Sequence, residues 1–168
     1  MTLAELNVLP RYRAEDELLK CCSSTAWAQW MARRRPFASP DRLFDAAGEI
    51  WWRLDADDWI QAFRAHPQIG QRQSTMHKST QSQAWSAQEQ SGMEGAGVGV
   101  TMELEDANRE YLAKFGYIFI VCATGKSAEE MLRILRSRLP NSADDEVRVA
   151  AEEQNKITRL RLEKLLTT

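Results

Sequence analysis

A histidine directly before a proline, His66 with Pro67, is the first place in this sequence where residue type and position together suggest chemistry. The residue before proline is biased out of the helical region. The apolar helical pattern carrying Trp59, Ile60 and Phe63 must therefore stop here, leaving His66 at a helix C-terminus beside the loop that follows. The helix dipole at such an end favours the imidazolium, and a group that titrates near neutrality with its charged form favoured is suited to donate a proton. The competing reading is a surface histidine that only caps the helix. Further on, Ser86-Ala87-Gln88-Glu89 spells a capping box, serine followed three residues later by glutamate. If the helix has instead begun by about Ser82, Ser86 and Glu89 lie inside it and Glu89 is available to a pocket. Arg161 stands in a stripe with Val147, Ala150, Gln154, Ile157 and Leu165. A full charge there requires an anion, from the protein or from a ligand, unless its stem lies over the core and the guanidinium reaches water.

Other candidates fall on chemical grounds. ATGKS resembles the end of a phosphate-binding loop, but the pattern requires a glycine where Ile120 stands. GAGVGV has neither a preceding strand nor a βαβ context, so it reads as a hinge or turn. The two histidines, His66 and His77, and the cysteines have no metal-ligand spacing, so no metal site is expected. Cys122, in an apolar run, reads as a small buried hydrophobe.

The elements that must position these residues are helical nearly throughout, about eight helices in one compact all-α domain over residues 1–168. Short helices are expected near 2–8 and 12–22, with Pro10 between them. A third carries Trp27, Trp30 and Met31 up to Pro36. Ser39 and Pro40 open a fourth, with Leu43, Phe44, Ala47, Ile50, Trp51 and Leu54 on one stripe. Asp55 caps the fifth, which ends before Pro67. From Gln68 to about Ser82 the chain is polar and unpatterned, as functional loops often are. A helix near 83–91 is followed by the glycine-rich stretch. Another runs from about Thr101, with Leu104, Ala107, Tyr111, Leu112 and Phe115 inward, to a stop at Gly116. Residues 117–123, YIFIVCA, look like a strand with nothing to pair with, hence a buried extended stretch or a helix turn. Ser127 and Glu130 form a capping box for the next helix, and Ser142 caps the long last one.

Composition bounds the setting. The chain is 43% hydrophobic, enough for one core, and its formal net charge of -2 offers no field for nucleic acid, so Arg33, Arg34 and Arg35 read as a solvated helix end. Three cysteines, two of them adjacent, do not make a disulfide framework and suggest a reducing compartment. Neither a signal peptide nor a membrane-spanning run is visible.

Taken in order, RRPF at 34–37, HPQIG at 66–70, SAQEQSG at 86–92, NREYLAKFG at 108–116 followed by IFIVCATGKS, and KITRLRL at 156–162 resemble the 2-oxo-4-hydroxy-4-carboxy-5-ureidoimidazoline (OHCU) decarboxylase family. One departure is Ile118, where the family usually has proline, and it bears on the backbone path beside the pocket.

The resemblance implies an all-α enzyme, commonly a homodimer, that acts without cofactor or metal in the last step from urate to (S)-allantoin. By it, His66 is the proton donor, and Glu89 accepts substrate N–H groups and helps keep the histidine protonated. Ser86, Ala87, Gln88 and Gln90 line the same wall and Pro67 shapes the floor. The backbone of Phe119, Ile120, Val121, Cys122 and Ala123 binds ring and ureido oxygens, and Arg161 meets a substrate oxygen or carboxylate. A cytoplasmic location is expected, the LLTT ending being unlike a peroxisomal signal. The rival reading is a helical ligand-binding or adaptor module without turnover.

Overall fold

The computed structural model describes residues 1–70 and 80–167, and every regular element among them is helical: nine α-helices and one 3-10 turn. His77 lies outside the described residues. By its contacts the chain divides into two compact units, Met1–Ala62 with Gln154–Thr168, and Phe63–Glu153.

The first unit contains α1 (Leu3–Val8), α2 (Arg11–Cys21), α3 (Thr25–Arg34), α4 (Pro40–Trp51), most of α5 (Ala56–Arg64) and the later part of α9 (Ala143–Thr167). Its helix starts are set by local chemistry. Ser24 Oγ accepts from Trp27 N at 3.3 Å, Ser39 Oγ from Arg42 N at 3.3 Å with Pro40 in the first turn, and Asp55 Oδ1 from Asp58 N at 3.2 Å. α2 packs on α3 and α3 on α4, burying Leu6, Leu18, Trp27, Met31, Leu43 and Trp51 completely. Each such side chain contributes about 1.5–3 kcal/mol of transfer free energy. The indole N–H groups inside are satisfied, Trp27 donating to Ala47 O at 3.1 Å and Trp59 to Trp51 O at 2.9 Å. Within RRPF, Arg35 donates to Leu6 O, Leu9 O and Ala32 O at 2.6, 2.9 and 3.0 Å, tying the C-terminal ends of α1 and α3.

The second unit contains α6 (Thr80–Glu89), a 3-10 turn at Ser91–Met93, α7 (Val98–Phe115), α8 (Ala128–Arg138) and the start of α9. α7 begins at Val98 rather than near Thr101, so the second half of the glycine-rich stretch is the first turn of a helix. The helix stops as expected at Gly116, whose φ of 80° is left-handed. Residues 118–123 follow without helix or strand, and α7 and α8 pack together. No helix among the described residues is long and apolar enough to cross a membrane.

The second core is aromatic, with Phe63, Tyr111, Phe115, Tyr117 and Phe119 in tilted, edge and stacked contacts at centroid distances of 4.6 to 6.3 Å. A buried polar network runs through it. Arg138 donates from Nε to Glu146 Oε1 at 2.7 Å and from Nη1 to Ile120 O at 2.6 Å, and its guanidinium lies 4.7 Å over the Phe119 ring. Glu146 also accepts from the Tyr111 hydroxyl and, at 2.8 Å, from Asn141 Nδ2. Burial, reinforced by the bond to Glu146, pushes the Tyr111 hydroxyl far above the ordinary phenol range, so it remains a donor.

Removing one member of a buried, hydrogen-bonded pair strands the other charge. Arg138→Met is therefore expected to cost about 3–5 kcal/mol in urea denaturation, and Arg138→Met combined with Glu146→Leu to recover part of that loss. Equal stability of the single variant and wild type would count against the network as a structural element.

Candidate active site

The site begins where α5 ends. Its last helical residue is Arg64, and His66 N still donates to Phe63 O at 3.1 Å before Pro67 removes the next donor. His66, Pro67 and Gln68 are half-buried and Ile69 is buried. Two side chains from elsewhere in the unit seize the turn. Gln90 Oε1 accepts the Gly70 N–H at 3.2 Å, and Asn108 Nδ2 donates to Ile69 O at 3.3 Å. Gly70 has φ of 85°, a left-handed conformation that favours glycine, and a Cβ there would lie 3.3 Å from the flexible end of Met93.

Gln90 follows α6, whose early start settles the two readings of Ser86. The helix begins at Thr80, so Ser86 and Glu89 are interior, three residues apart on one face, and both buried, Glu89 at the last helical position. Ala87 and Gln88 are exposed and Gln90 is half-buried. The turn after α6 lies directly on the loop before α8: a Cβ on Gly92 would sit 1.8 Å from Lys126 O.

That loop continues the buried run after Gly116. Phe119, Ile120, Val121, Cys122 and Ala123 are all buried, and Ile118 is half-buried. Ile120 O takes Arg138, Cys122 N donates to Glu153 Oε2 at 2.7 Å, and Cys122 O accepts Lys126 Nζ at 2.7 Å. Polar groups alternate in direction along an extended chain. The N–H and C=O groups of Phe119 and Val121 accordingly turn to the opposite edge, where they make no hydrogen bond among the described residues. Both residues are buried, at 1% and 4% exposure, and backbone groups in such positions ordinarily have partners. The surroundings of the Cys122 thiol disfavour the thiolate. Burial raises its pKa, Lys126 opposes the rise, and Glu153 and Glu89 reinforce it.

His66's turn, the end of α6 and the 119–123 run thus meet within one unit. Arg161 belongs to the other unit, on α9. The residue is buried, at 5% exposure, and its charge lowers the pKa of the thiols of Cys21 and Cys22 at the end of α2, where burial dominates and holds Cys22 up to about 11. Among the described residues, no three His, Cys, Asp or Glu side chains are grouped to hold a metal.

The sequence model of the OHCU decarboxylase family matches residues 7–163, a span that takes in every motif named above. The chain belongs to the OHCU decarboxylase family. The uric acid degradation bifunctional protein TTL of Arabidopsis thaliana is 36% identical over 154 residues, covering 91% of this chain and 47% of that protein. This chain therefore spans about half the length of that relative. The 2-oxo-4-hydroxy-4-carboxy-5-ureidoimidazoline decarboxylase of Amia calva is 30% identical over 145 residues, covering 86% of this chain and 81% of the relative. A crystal structure of an OHCU decarboxylase in the presence of (S)-allantoin matches with a TM-score of 0.79 and 35% identity, covering 91% of this chain and 99% of the other. A crystal structure of (S)-allantoin synthase matches at 0.75 but is 17% identical, covering 100% of this chain and 55% of that one, and shows the fold alone.

Within this OHCU decarboxylase-family site, sequence reasoning overlooked three residues. Asn108 carried a signal, a polar residue on the buried face that Leu104, Ala107 and Tyr111 define. Gly92 and Glu153 carried none, because a close approach and a distant helix are invisible in local spacing.

The Gly92 contact is testable. Overfilling a packed site costs about 1–3 kcal/mol, so Gly92→Ala is expected to lower stability by that much in urea and to reduce activity. Gly99→Ala, in the first part of α7 with nothing near its Cβ position, is expected to gain up to about 1 kcal/mol. Equal midpoints for the two variants would refute the close approach.

Proposed function

We propose that this chain decarboxylates 2-oxo-4-hydroxy-4-carboxy-5-ureidoimidazoline to (S)-allantoin, the last step of urate conversion, without a cofactor. The observation that carries this reading is the convergence of three segments in one unit: the His66 turn tethered through Gly70 to Gln90, the buried end of α6 with Ser86 and Glu89, and the unpaired backbone edge of Phe119 and Val121. Family membership, and relatives named for this reaction, support it.

The chemistry suits such an arrangement. The C–C bond to the carboxylate breaks, CO₂ leaves, and the electron pair delocalises into the adjacent ring C=N, so the heterocycle does what pyridoxal or thiamine would otherwise do. The protein supplies orientation and one proton. The carbon that lost CO₂ keeps its hydroxyl and becomes the carbonyl carbon as that hydroxyl gives up its proton, while His66 delivers a proton to the neighbouring former C=N carbon, which bears the ureido group, on one face of the planar intermediate, and so fixes the (S) configuration. Glu89 accepts from substrate N–H groups and favours the imidazolium. Ser86, Ala87, Gln88 and Gln90 form one wall and Pro67 the floor, while the 119–123 backbone, chiefly Phe119 and Val121, meets the ring and ureido groups. Arg161 meets a substrate oxygen or carboxylate, a role that rests on the resemblance and on its burial. The family model runs through both units, which supports reading the chain as one functional domain. A homodimer in the cytoplasm completes the proposal.

The labile substrate is generated in situ from urate with urate oxidase and hydroxyisourate hydrolase, and circular dichroism follows the product. Wild type is expected to accelerate the appearance of optically active allantoin. His66→Ala and Glu89→Ala should each lose at least about 10²-fold of that acceleration, the scale of positioned acid–base catalysis, while melting like wild type. Folded wild type with no effect on the dichroism would sink the assignment and favour a binding module.

A further inference from the structure

The backbone edge assigned to the substrate has a reverse side, and side chains from two other elements hold it. Glu153, on α9, accepts the Cys122 N–H at Oε2, and Lys126, in the loop before α8, donates to the Cys122 carbonyl, each at 2.7 Å. Cys122 is thus fixed at both polar groups of one residue, as a neighbouring strand would fix it. Both bonds involve a charged side chain, and charge-assisted bonds are roughly twice as strong as neutral ones. Because successive residues of an extended run present their polar groups to opposite sides, orienting Cys122 orients Val121 and, one step further, Phe119. Arg138 at Ile120 O anchors the same side two residues earlier.

We propose that Glu153 is a positioning residue of the decarboxylation, which sets the direction of the Val121 and Phe119 backbone groups that hold the substrate. This rests on the substrate assignment above. Glu153 acts on binding geometry rather than on the proton, so its loss falls on KM before kcat.

The test uses the full chain in the same coupled assay. Glu153→Gln retains an oxygen that accepts the Cys122 N–H, whereas Glu153→Met does not. Glu153→Met is expected to raise KM about tenfold or more with kcat within about threefold of wild type, and Glu153→Gln to stay within about threefold on both. Lys126→Met, which releases the other half of the grip, should give a smaller rise of the same kind. Unchanged KM in Glu153→Met overturns the inference. So does an equal loss in the Gln and Met variants, which would implicate charge rather than the accepted N–H, or a loss carried mainly by kcat. If Glu153→Met fails to fold, Lys126→Met decides, and an unaltered KM there rejects the proposal. Inert wild type defeats the substrate assignment itself, whereas active wild type with an unaffected Glu153→Met defeats this inference alone.

Discussion

A buried stretch of extended backbone in an all-helical protein has no neighbouring strand to satisfy it, and much of the second unit follows from that constraint. Residues 118–123 lie in neither helix nor strand, and Phe119 to Ala123 are buried. Backbone amides and carbonyls in that position must find partners, and three charged side chains supply them: Arg138 at Ile120, and Glu153 and Lys126 at Cys122. Each partner creates a demand of its own. Arg138 is only 6% exposed, so its charge requires Glu146, itself fully buried, and the remaining acceptor capacity of Glu146 requires Tyr111 and Asn141. The network is the consequence of placing bare backbone inside a helical core.

The same constraint explains why the site is made of loops yet is not loose. A helix satisfies its own backbone and offers only its ends to a ligand, whereas an extended run offers a whole edge. The HPQIG turn is held by Gln90 and Asn108 at two consecutive residues, and the turn after α6 touches the Lys126 backbone so closely that only glycine fits. Side-chain bonds and glycine contacts take the place of a strand ladder and fix loops on a rigid scaffold.

Legibility in the sequence divides along the same line. The helices were readable because their signals are local: Ser39 with Pro40, Ser127 with Glu130, and Gly116 at the end of α7 all lie where the caps are found. The start of α7 is obscured by three residues because Gly97 caps it and Gly99 lies within its first turn, and glycine reads as punctuation whether or not a helix has begun. His66 was legible from Pro67 alone. Ser86 and Glu89 were not decidable, since the capping-box spacing is also the spacing of one helical face, and only the start of α6 at Thr80 separates the two. The run 117–123 was recognisable as partnerless, but its partners were not, because Arg138 and Glu153 look like ordinary charges on helices and their targets are distant in sequence. The family resemblance, rather than spacing, is what implies roles for Arg161 and for the 119–123 backbone.

For the decarboxylation proposed above, a buried, preorganised surface matters as much as the proton donor. Burial raises the pKa of the Cys122 thiol, and Glu153 and Glu89 add to the rise, in keeping with its reading as a small buried hydrophobe. A ureide presents N–H and C=O groups in alternation, and so does one edge of an extended chain. An edge already fixed before binding loses little freedom when it is filled and needs no reorganisation as charge shifts from the leaving carboxylate into the ring. Such an edge has to be held from behind by groups that do not compete for the ligand. That requirement is met by side chains reaching in from α8, α9 and the loop before α8, two of which, Arg138 and Glu153, stand outside the quoted motifs.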